Sequence, residues 1–363
     1  MNIALVHDWL NQYGGAERVL DTLKGLYPAA PLHTSIYWRA GMPPHYREWG
    51  IQTTWLDRAP GIYQRHQPYL PFYPLAFRSL DLSRYDVVVS NKSGFCHGVS
   101  TGQALHICYC LAPTRYVWTV DAYAEREALS RTTRLTLKPL INWLRRWDYA
   151  AAQRVTHFVA ISAEVRERIR RYYNRDSIVI HPPVDLQRYQ PAASHASFYL
   201  IVSRLIPYKR IDLAIEAFNR LGRPLWIAGD GRDAARLQAI AGPTIKFLGR
   251  VPEADLPDLL ARCRAFVFPG YEDFGIAPLE AQAAGRPVIA LGAGGALDTV
   301  IDGTTGVLFA EQSVDALIDA VRRLDTIDFS PNTIRANAAR FDTSVFVSKL
   351  SRFVEEKYHE WRG

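Results

Sequence analysis

The sequence predicts an α/β fold built from two doubly wound parallel-sheet domains. The first observation is that short apolar strands alternate with amphipathic helices along the chain, in two successive series. The second is a break between the series, where Pro182-Pro183 is followed by the polar segment 187–197. The third is that 363 residues with 48% hydrophobic content are enough for two cores. We therefore expect one domain at 1–185 and a second at 186–342.

The first series begins with a predicted strand at residues 2–7 and a helix at about 16–26. In that helix Val19, Leu23 and Leu26 recur at helical spacing. Because helical runs separate the strands that follow, we expect those strands to be parallel and covered on both faces. They are predicted at 86–90, 105–111, 157–162 and 177–180.

The second series has six predicted strands, each followed by a helical run. They begin near Phe198, Leu225, Ile245, Ala265, Val288 and Val307. A last helix is predicted at about 343–363. In doubly wound sheets ligands bind beyond the carboxyl ends of the strands, so the residues that follow each strand are the candidates for a site.

The most informative of these runs is Glu272-Asp273-Phe274-Gly275-Ile276-Ala277-Pro278-Leu279-Glu280. Pro278 suits the first position of a helix, with Ala277 as an N-cap that has no side-chain acceptor. The amides of that first turn would then lack an internal partner and could bind a phosphate. Taken alone, the run is also typical of an exposed junction whose amides bond to water.

Two cations, Arg204 and Lys209, follow the strand that begins at Phe198. A guanidinium that forks onto oxygens and an ammonium that acts as a point charge suit a diphosphate. An isolated pair could equally be solvated loop charges. Together with Glu272 and Glu280, the pair favours a ligand site.

These motifs resemble the retaining glycosyltransferases of family 4, which have the GT-B fold. The matching residues occur in family order over almost the entire chain. They are residues 6–10 and 14–18, Arg204, Lys209, Gly229-Asp230-Gly231, Gly249-Arg250-Val251, the run 272–280 and Gly294-Gly295. The strongest similarity is to bacterial mannosyltransferases that build surface polysaccharides. The resemblance implies two Rossmann-like domains facing across a cleft, with the last helix packed back on the first domain.

The resemblance also implies a role for each site residue. Glu272, Arg204 and Lys209 are the implied catalytic residues, since the two cations hold the diphosphate and Glu272 meets hydroxyls of the transferred sugar. Glu280 takes the ribose hydroxyls. The other implied donor-binding residues are Gly14, Gly15, Arg250, Val251, Phe274, Gly275 and Ile276. Alternatives remain open: Glu280 as a solvent-facing helix residue, Arg250 as a loop charge, and Gly14-Gly15 as a plain helix-opening turn.

The chemistry that the resemblance implies is retaining transfer without a covalent carboxylate intermediate. The sequence has no Asp-x-Asp motif flanked by strand residues, so we expect no metal and no cofactor beyond the nucleotide-sugar co-substrate. Many relatives carry a His where this chain has Leu111. On the acceptor side, His7, Asp8, Thr114 and Arg115 are therefore the candidates.

Charge gives a hypothesis about the acceptor. The chain has a formal charge of +7, and residues 126–175 are strongly basic, with Leu140, Trp143, Leu144 and Trp147 among Arg134, Lys138, Arg145 and Arg146. This composition suits an anionic membrane surface, where lipid-linked acceptors reside. Core packing with a solvated basic face is the alternative, also for the aromatic stretch 69–77. No nucleic-acid recognition motif accompanies the charge, so we expect no nucleic-acid partner.

The predicted function is transfer of a sugar, with GDP-mannose favoured over UDP-linked sugars, to a saccharide or lipid-linked acceptor. A sugar-nucleotide epimerase and a noncatalytic sugar-nucleotide-binding protein remain alternatives. Residues 1–6 form an apolar strand rather than a secretory signal, and no apolar stretch reaches the length of a membrane span. We therefore expect a cytoplasmic protein, peripheral on the inner face of the membrane if the basic segment binds lipid.

Overall fold

The protein is described by a computed structural model that covers residues 1–119 and 131–363, with only the backbone of residues 131–135. The chain divides into two compact units. Unit 1 comprises Met1–His181 and Phe346–Gly363, and unit 2 comprises Pro182–Val345. The first unit thus ends at His181, whereas the sequence predicts a boundary at 185.

Unit 1 contains a seven-stranded parallel sheet in the order β3-β2-β1-β4-β5-β6-β7. The strands predicted from apolar runs are confirmed. Two more, β2 and β3, were not predicted, because each has a single apolar residue among its three positions. The strands are β1 Ile3–His7, β2 Leu32–Thr34, β3 Ile51–Thr53, β4 Val87–Lys92, β5 Leu105–Cys110, β6 His157–Ala160 and β7 Ser177–Val179.

The first helix of unit 1, α1, covers Gly15–Leu26 and buries Val19, Leu20 and Leu23 as predicted. The others are α2 Tyr73–Arg78, α3 Arg115–Trp118, α4 Arg131–Arg154 and α5 Ala163–Tyr173. Short 3-10 helices occur at Pro44–Glu48, Trp55–Arg58 and Gln67–Phe72. On one face of the sheet, Val6 and Val88 pack with Tyr73 and Phe77 in a continuous core.

Unit 2 contains a six-stranded parallel sheet in the order β10-β9-β8-β11-β12-β13. All six predicted strands are present. Successive residues of a strand point to opposite faces of the sheet and enter different cores, as Leu200 and Ile201 do. Both faces of the sheet are therefore covered. The strands are β8 Tyr199–Val202, β9 Leu225–Ala228, β10 Ile245–Gly249, β11 Ala265–Phe268, β12 Val288–Leu291 and β13 Gly306–Phe309.

Helices connect the strands of unit 2. They are α6 Ile211–Leu221, α7 Ala234–Ala239, α8 Leu256–Arg262, α9 Ile276–Ala283, α10 Ala296–Thr299, α11 Val314–Leu324 and α12 Pro331–Ala339. In both sheets the strand order reverses beside the first strand of the series. The reversal lies between β1 and β4 in unit 1 and between β8 and β11 in unit 2, which are the places where doubly wound folds bind ligands.

The last helix, α13, covers Thr343–Arg362, close to the predicted 343–363. From Phe346 onward it groups with unit 1. The ring of Phe346 lies 5.5 Å from that of Tyr109 on β5, and the Trp361 indole donates to the Gln103 carbonyl at 3.0 Å. Across residues 1–119 and 131–363, no helix combines the length and the apolar character needed to cross a membrane.

Candidate active site

The strand reversal of unit 2 brings the two predicted donor-binding loops together. The chain leaves β8 toward Arg204 and Lys209, and it leaves the neighbouring β11 toward Glu272. Because the carboxyl ends of parallel neighbours meet at one edge of a sheet, both loops lie at that edge. A small recess there is lined by Ser203, Lys209 and Gly270, among other residues.

Lys209 and Glu272 form an ion pair between their Nζ and Oε1 atoms. Both side chains are largely buried, at 19% and 11% exposure. Gly270 packs against Lys209, since a Cβ at residue 270 would lie 3.0 Å from the Lys209 Cα. The sequence predicted that each residue contacts the donor, but it did not predict their contact with each other. An ammonium has three N–H donors, so Lys209 can bind Glu272 and a further anion together.

The backbone of the Arg204 loop is fixed by the Gly229-Asp230-Gly231 motif. The Leu205 amide donates to the Asp230 carbonyl at 2.9 Å. A Cβ at Gly229 would lie 1.8 Å from the Ser203 carbonyl oxygen, so residue 229 must be glycine for this approach. Arg204 itself is exposed at the edge of the sheet.

Helix α9 begins at Ile276, and its N-cap is Gly275. The prediction of a helix that starts at Pro278 with Ala277 as its N-cap is therefore wrong. Pro278 stands third in the helix, where its missing N–H is still no loss, because first-turn amides have no intrahelical acceptor. Gly275 adopts φ of 99° and, as a glycine, provides no side-chain acceptor at the N-cap position of the helix.

Phe274 lies inside the unit. Its side chain is 3% exposed, and its ring lies 5.9 Å from that of Phe341. Gly295 packs directly against it, because a Cβ at residue 295 would lie 2.1 Å from the Phe274 Cα. The Gly295 amide also donates to the Glu272 carbonyl at 2.9 Å. The Phe274 side chain therefore anchors the loop, while the place of this residue among those that bind the donor stays a prediction.

Glu280 is buried on α9. It is 5% exposed, and the Tyr189 hydroxyl donates to its Oε1 at 2.7 Å. The alternative of a solvent-facing helix residue is wrong, while a contact with ribose stays a prediction. Arg250 is exposed and Val251 half-buried just after β10, so their contact with the base also stays a prediction.

At the strand reversal of unit 1, His7 ties β1 to the opening of α1. Its Nε2 lies 3.3 Å from Oε1 of Glu17, and its Nδ1 lies 3.2 Å from the Asn91 amide nitrogen. His7 is 1% exposed. Gly14 is the N-cap of α1, and a Cβ there would meet no atom closer than 3.5 Å. Packing within the chain therefore does not require glycine at 14, and its predicted approach to the donor stays a prediction.

Asp8 holds the loop that follows β4. Its carboxylate accepts from the amides of Ser93 and Gly94, both at 2.6 Å, and from that of Cys96 at 2.8 Å. Asp8 is fully buried. These contacts show that Asp8 holds the loop in place, and its contact with an acceptor stays a prediction.

Thr114 points inward, where it links two buried charges. Lys92 donates to its hydroxyl oxygen at 3.1 Å and to the Ala112 carbonyl at 3.2 Å. The hydroxyl lies 2.7 Å from Oδ1 of Asp148 and 2.6 Å from the Gly94 carbonyl. Lys92, Thr114 and Asp148 are all fully buried. The prediction that the Thr114 hydroxyl contacts the acceptor is therefore wrong, because its hydrogen-bonding capacity is used within the chain.

The Asp148 carboxylate holds further groups of the same segment. Its Oδ2 accepts from the Trp118 indole at 2.6 Å and from the Tyr173 hydroxyl at 2.8 Å. Burial alone would lower the pKa of Lys92, but Tyr173 and Asp148 outweigh it and leave that pKa well above its usual value. Lys92 is thus a cation in the interior. Lys92 ends β4 after two polar residues, so the sequence carried no clear sign that this lysine is buried. Arg115 is half-buried at the start of α3, and its acceptor role stays a prediction.

The basic segment 126–175 divides between core and surface. Residues 126–130 and the side chain of Arg134 lie outside the described part of the chain. Leu144 is buried, and Leu140 and Trp147 pack against the core, so the core alternative holds for these three. Arg145 is half-buried and donates to the Val117 carbonyl at 2.7 Å, while its contact with lipid stays a prediction. Lys138, Trp143 and Arg146 are exposed on α4.

Within the described residues, no three His, Cys, Asp or Glu side chains come together as ligands of a metal ion would. The polar groups at the edge of the unit 2 sheet are instead cations, amides and one ion-paired carboxylate. This set can bind an anion and hydroxyl groups beside it.

Two family models match the chain. Residues 13–188 match "Glycosyltransferase Family 4", and residues 186–341 match "Glycosyl transferases group 1". A glycogen synthase of Mycobacterium tuberculosis is 40% identical over 154 residues, which is 39% of this chain and 36% of that protein. A GDP-mannose-dependent alpha-(1-6)-phosphatidylinositol monomannoside mannosyltransferase of Mycolicibacterium smegmatis is 36% identical over 138 residues, 33% of this chain. The match spans 36% of the length of each of these two relatives.

Solved structures show the same architecture. Anabaena Alr3699/HepE in complex with UDP-glucose superposes with a TM-score of 0.74 and 18% identity, covering 98% of this chain and all of that one. At this identity the likeness concerns the fold alone. Two parallel-sheet units in this topology, matched over the whole chain, identify the GT-B fold.

Proposed function

The chain belongs to the family 4 glycosyltransferases of the GT-B fold, and we propose that it moves a sugar from a nucleoside-diphosphate sugar to a saccharide-bearing acceptor. One observation carries this proposal. At the strand reversal of unit 2 lie the ion pair of Lys209 and Glu272, the exposed Arg204 and the start of α9, where Gly275 provides no capping side chain. This edge is where doubly wound sheets bind nucleotides.

The same arrangement suits departure of a diphosphate. Negative charge grows on the leaving group as the sugar transfers, and cations and amides fixed beforehand stabilise that charge. Each such group contributes about 100- to 1,000-fold in rate in enzymes that have been dissected by mutation. Glu272 holds Lys209 in place, and its carboxylate lies where it can accept hydrogen bonds from hydroxyls of the sugar.

We propose that the transfer retains the anomeric configuration and needs no metal ion, because Arg204 and Lys209 supply the positive charge. The test is a transfer assay in excess EDTA. We expect activity to persist. Complete loss that magnesium or manganese restores would contradict a site built on the two cations.

For the donor we propose GDP-mannose, with a UDP-linked sugar as the alternative. The M. smegmatis relative, a GDP-mannose-dependent mannosyltransferase, supports the first, and the UDP-glucose complex of the Anabaena structure supports the second. A thermal-shift panel of GDP, UDP and ADP decides between them. Stabilisation by GDP above the other two supports GDP-mannose, and a larger shift with UDP contradicts it.

We propose further that the acceptor belongs to polysaccharide synthesis at a membrane surface, with the enzyme peripheral on the cytoplasmic face. The exposed side chains of Lys138, Trp143 and Arg146 on α4 support lipid contact, since two cations flank an interfacial aromatic residue. The support comes from these exposed residues alone, because Leu144 is buried and Arg145 is half-buried and bonded to the Val117 carbonyl.

Two other functions are separable by product analysis. An epimerase of this fold would convert the donor without any acceptor. A noncatalytic binding protein would bind the donor without hydrolysing or transferring it. Formation of a glycosylated acceptor excludes both.

A further inference from the structure

An open cleft lies at the amino edge of the unit 1 sheet. Its volume is about 630 Å³, and most small-molecule sites measure about 300–1,000 Å³. Pro31 and Gly50, which line the cleft, directly precede the strands β2 and β3. The candidate acceptor residues His7 and Asp8 lie at the carboxyl end of β1. Because these strands are parallel, the cleft is at the opposite edge of the sheet from those residues.

The indole ring of Trp49 lines this cleft and is held in a fixed position. Its ring centroid lies 4.1 Å from that of Tyr46 and 5.5 Å from that of His45. Tyr46 is fully buried, and its hydroxyl donates to the Glu17 carbonyl at 3.2 Å. Trp49 itself is only half-buried. A core side chain therefore holds the indole from behind, while the indole keeps part of its surface at the wall of the cleft.

Polar side chains line the same cleft. His45 Nε2 lies 3.2 Å from Oδ1 of Asp21, and the Tyr13 hydroxyl donates to Oδ2 of that carboxylate at 2.6 Å. The side chains of Asp21 and His45 are 26% and 46% exposed. A carboxylate has about four lone-pair sites, so Asp21 can accept further hydrogen bonds from hydroxyl groups. Glu48, which also lines the cleft, is exposed and offers a second carboxylate.

The charges around the cleft disfavour an anionic ligand. Lys24 lines the cleft, but its ammonium donates to the carbonyls of Pro28 at 2.8 Å and Ala30 at 2.6 Å. The lining also includes the carboxylates of Asp21 and Glu48, so an anion such as phosphate would meet like charge. An uncharged ligand with many hydroxyl groups therefore fits the cleft better.

We propose that this cleft binds a saccharide chain as a second carbohydrate site, separate from the site of transfer. A pyranose has apolar C–H faces that pack on an aromatic ring, and hydroxyl edges that bond to carboxylates and to an imidazole. The lining offers these groups together in Trp49, Asp21 and His45. The site keeps a glycan chain on the enzyme while the end of that chain is extended. That role rests on the proposed function, whereas the binding of the saccharide does not.

The first test compares Trp49→Leu with Trp55→Leu. Leucine keeps an apolar side chain but removes the aromatic ring. Trp55 is 49% exposed at the start of the 3-10 helix Trp55–Arg58 and lies outside the cleft, so it provides a matched control. The probes are mannotriose, maltotriose and cellotriose, and titrations followed by saturation-transfer NMR on the full chain measure their affinities.

A second pair, Ala29→Arg and Ala40→Arg, tests the cleft without disturbing the packing of Trp49 on Tyr46. Both alanines are exposed residues in turns. Ala29 lines the cleft, whereas Ala40 lies outside it. An arginine at position 29 therefore occupies part of the cleft, and an arginine at position 40 adds the same charge elsewhere. If Trp49→Leu does not fold, this pair alone decides.

We expect at least one trisaccharide to bind the unmodified chain. Trp49→Leu and Ala29→Arg should each weaken that binding about tenfold, while Trp55→Leu and Ala40→Arg stay within about twofold. Equal affinities within either pair of folded variants, or no binding of any trisaccharide to the unmodified chain, overturn the proposal. Binding of GDP and UDP in the same samples keeps the proposals apart, because a cleft that fails while a nucleotide still binds leaves the proposed function intact.

Discussion

Replacing Thr114 by valine should destabilise unit 1 far more than replacing it by serine. Valine keeps the shape of threonine but removes the hydroxyl, and serine keeps the hydroxyl but removes a methyl group. The hydroxyl accepts from Lys92 and, having one proton, donates to either Asp148 or Gly94. Valine therefore removes two hydrogen bonds, and at least one of them involves a buried charge.

Hydrogen bonds to charged groups contribute about 1.5–3 kcal/mol each and neutral ones about 0.5–1.5 kcal/mol, so the valine variant should lose roughly 2–6 kcal/mol of unfolding free energy. Loss of one buried methyl group in the serine variant should cost about 1 kcal/mol. Urea unfolding followed by tryptophan fluorescence measures the difference. Of the nine tryptophans, all except Trp226 lie in unit 1, so the signal reports mainly on that unit.

A valine variant as stable as the serine variant would refute this reasoning. It would mean that Lys92 and Asp148 are solvated, or that they find other partners when the hydroxyl is gone. A loss in both variants alike would point to the methyl group and to packing instead. A second test is Asp148→Asn, which should also destabilise unit 1, since it leaves the Lys92 cation without its buried counter-charge.

Three further predictions follow from the geometry. Burial lowers the pKa of His33 and of His66 from 6.5 to about 4. Between pH 6.5 and pH 4 the unfolded chain therefore binds more protons than the folded chain, and the free energy of unfolding falls as the pH drops. Each histidine should account for a loss of up to about 3 kcal/mol. His33→Gln should flatten this dependence in urea unfolding at pH 7 and 5, and an unchanged slope would contradict it. In Gly295→Ala the new Cβ would lie 2.1 Å from the Phe274 Cα, so the loop that carries Glu272 should be displaced. Thermal shifts induced by nucleotides should then be abolished. An undiminished shift would contradict the role of Gly295 and Phe274 in anchoring that loop. Changing Lys138 and Arg146 to Gln should remove about 2 kcal/mol of salt-dependent affinity for anionic vesicles, and unchanged co-sedimentation at low salt would contradict lipid contact.

The alternation of strands and helices made most of the fold predictable from the sequence. Strands that contain consecutive apolar residues, such as β4 and β8, were placed correctly. A strand that is buried on both faces of a parallel sheet shows such a continuous apolar run in its sequence. The strands β2 and β3 were missed, since each has only one apolar residue and so no apolar run. The start of α9 was misplaced because Pro278 is compatible with several positions in a first turn, and the backbone angle of Gly275 decides among them.

The candidate site was predictable as a set of residues but not as a set of contacts. Strand ends located Arg204, Lys209 and Glu272 at one edge of a sheet. Sequence spacing could not show that Lys209 pairs with Glu272, because that contact depends on which strands are neighbours. The sequence also could not show that the Thr114 hydroxyl points into the interior. That orientation depends on a contact with Asp148, which lies in a helix distant in sequence.

The most direct test of the donor site is the contribution of the Lys209 charge to nucleotide binding. Unit 2 contains a second lysine, Lys246 on β10, which is exposed and lies over the Trp226 ring at 4.6 Å, and it provides a matched control. Calorimetric titration of GDP and UDP into Lys209→Met and Lys246→Met compares the two. We expect Lys209→Met to weaken the affinity for the tighter-binding nucleotide about 10- to 100-fold, because a charge-assisted contact of about 1.5–3 kcal/mol is lost. Lys246→Met should change that affinity little. Equal affinity in the two variants would contradict a diphosphate site at Lys209.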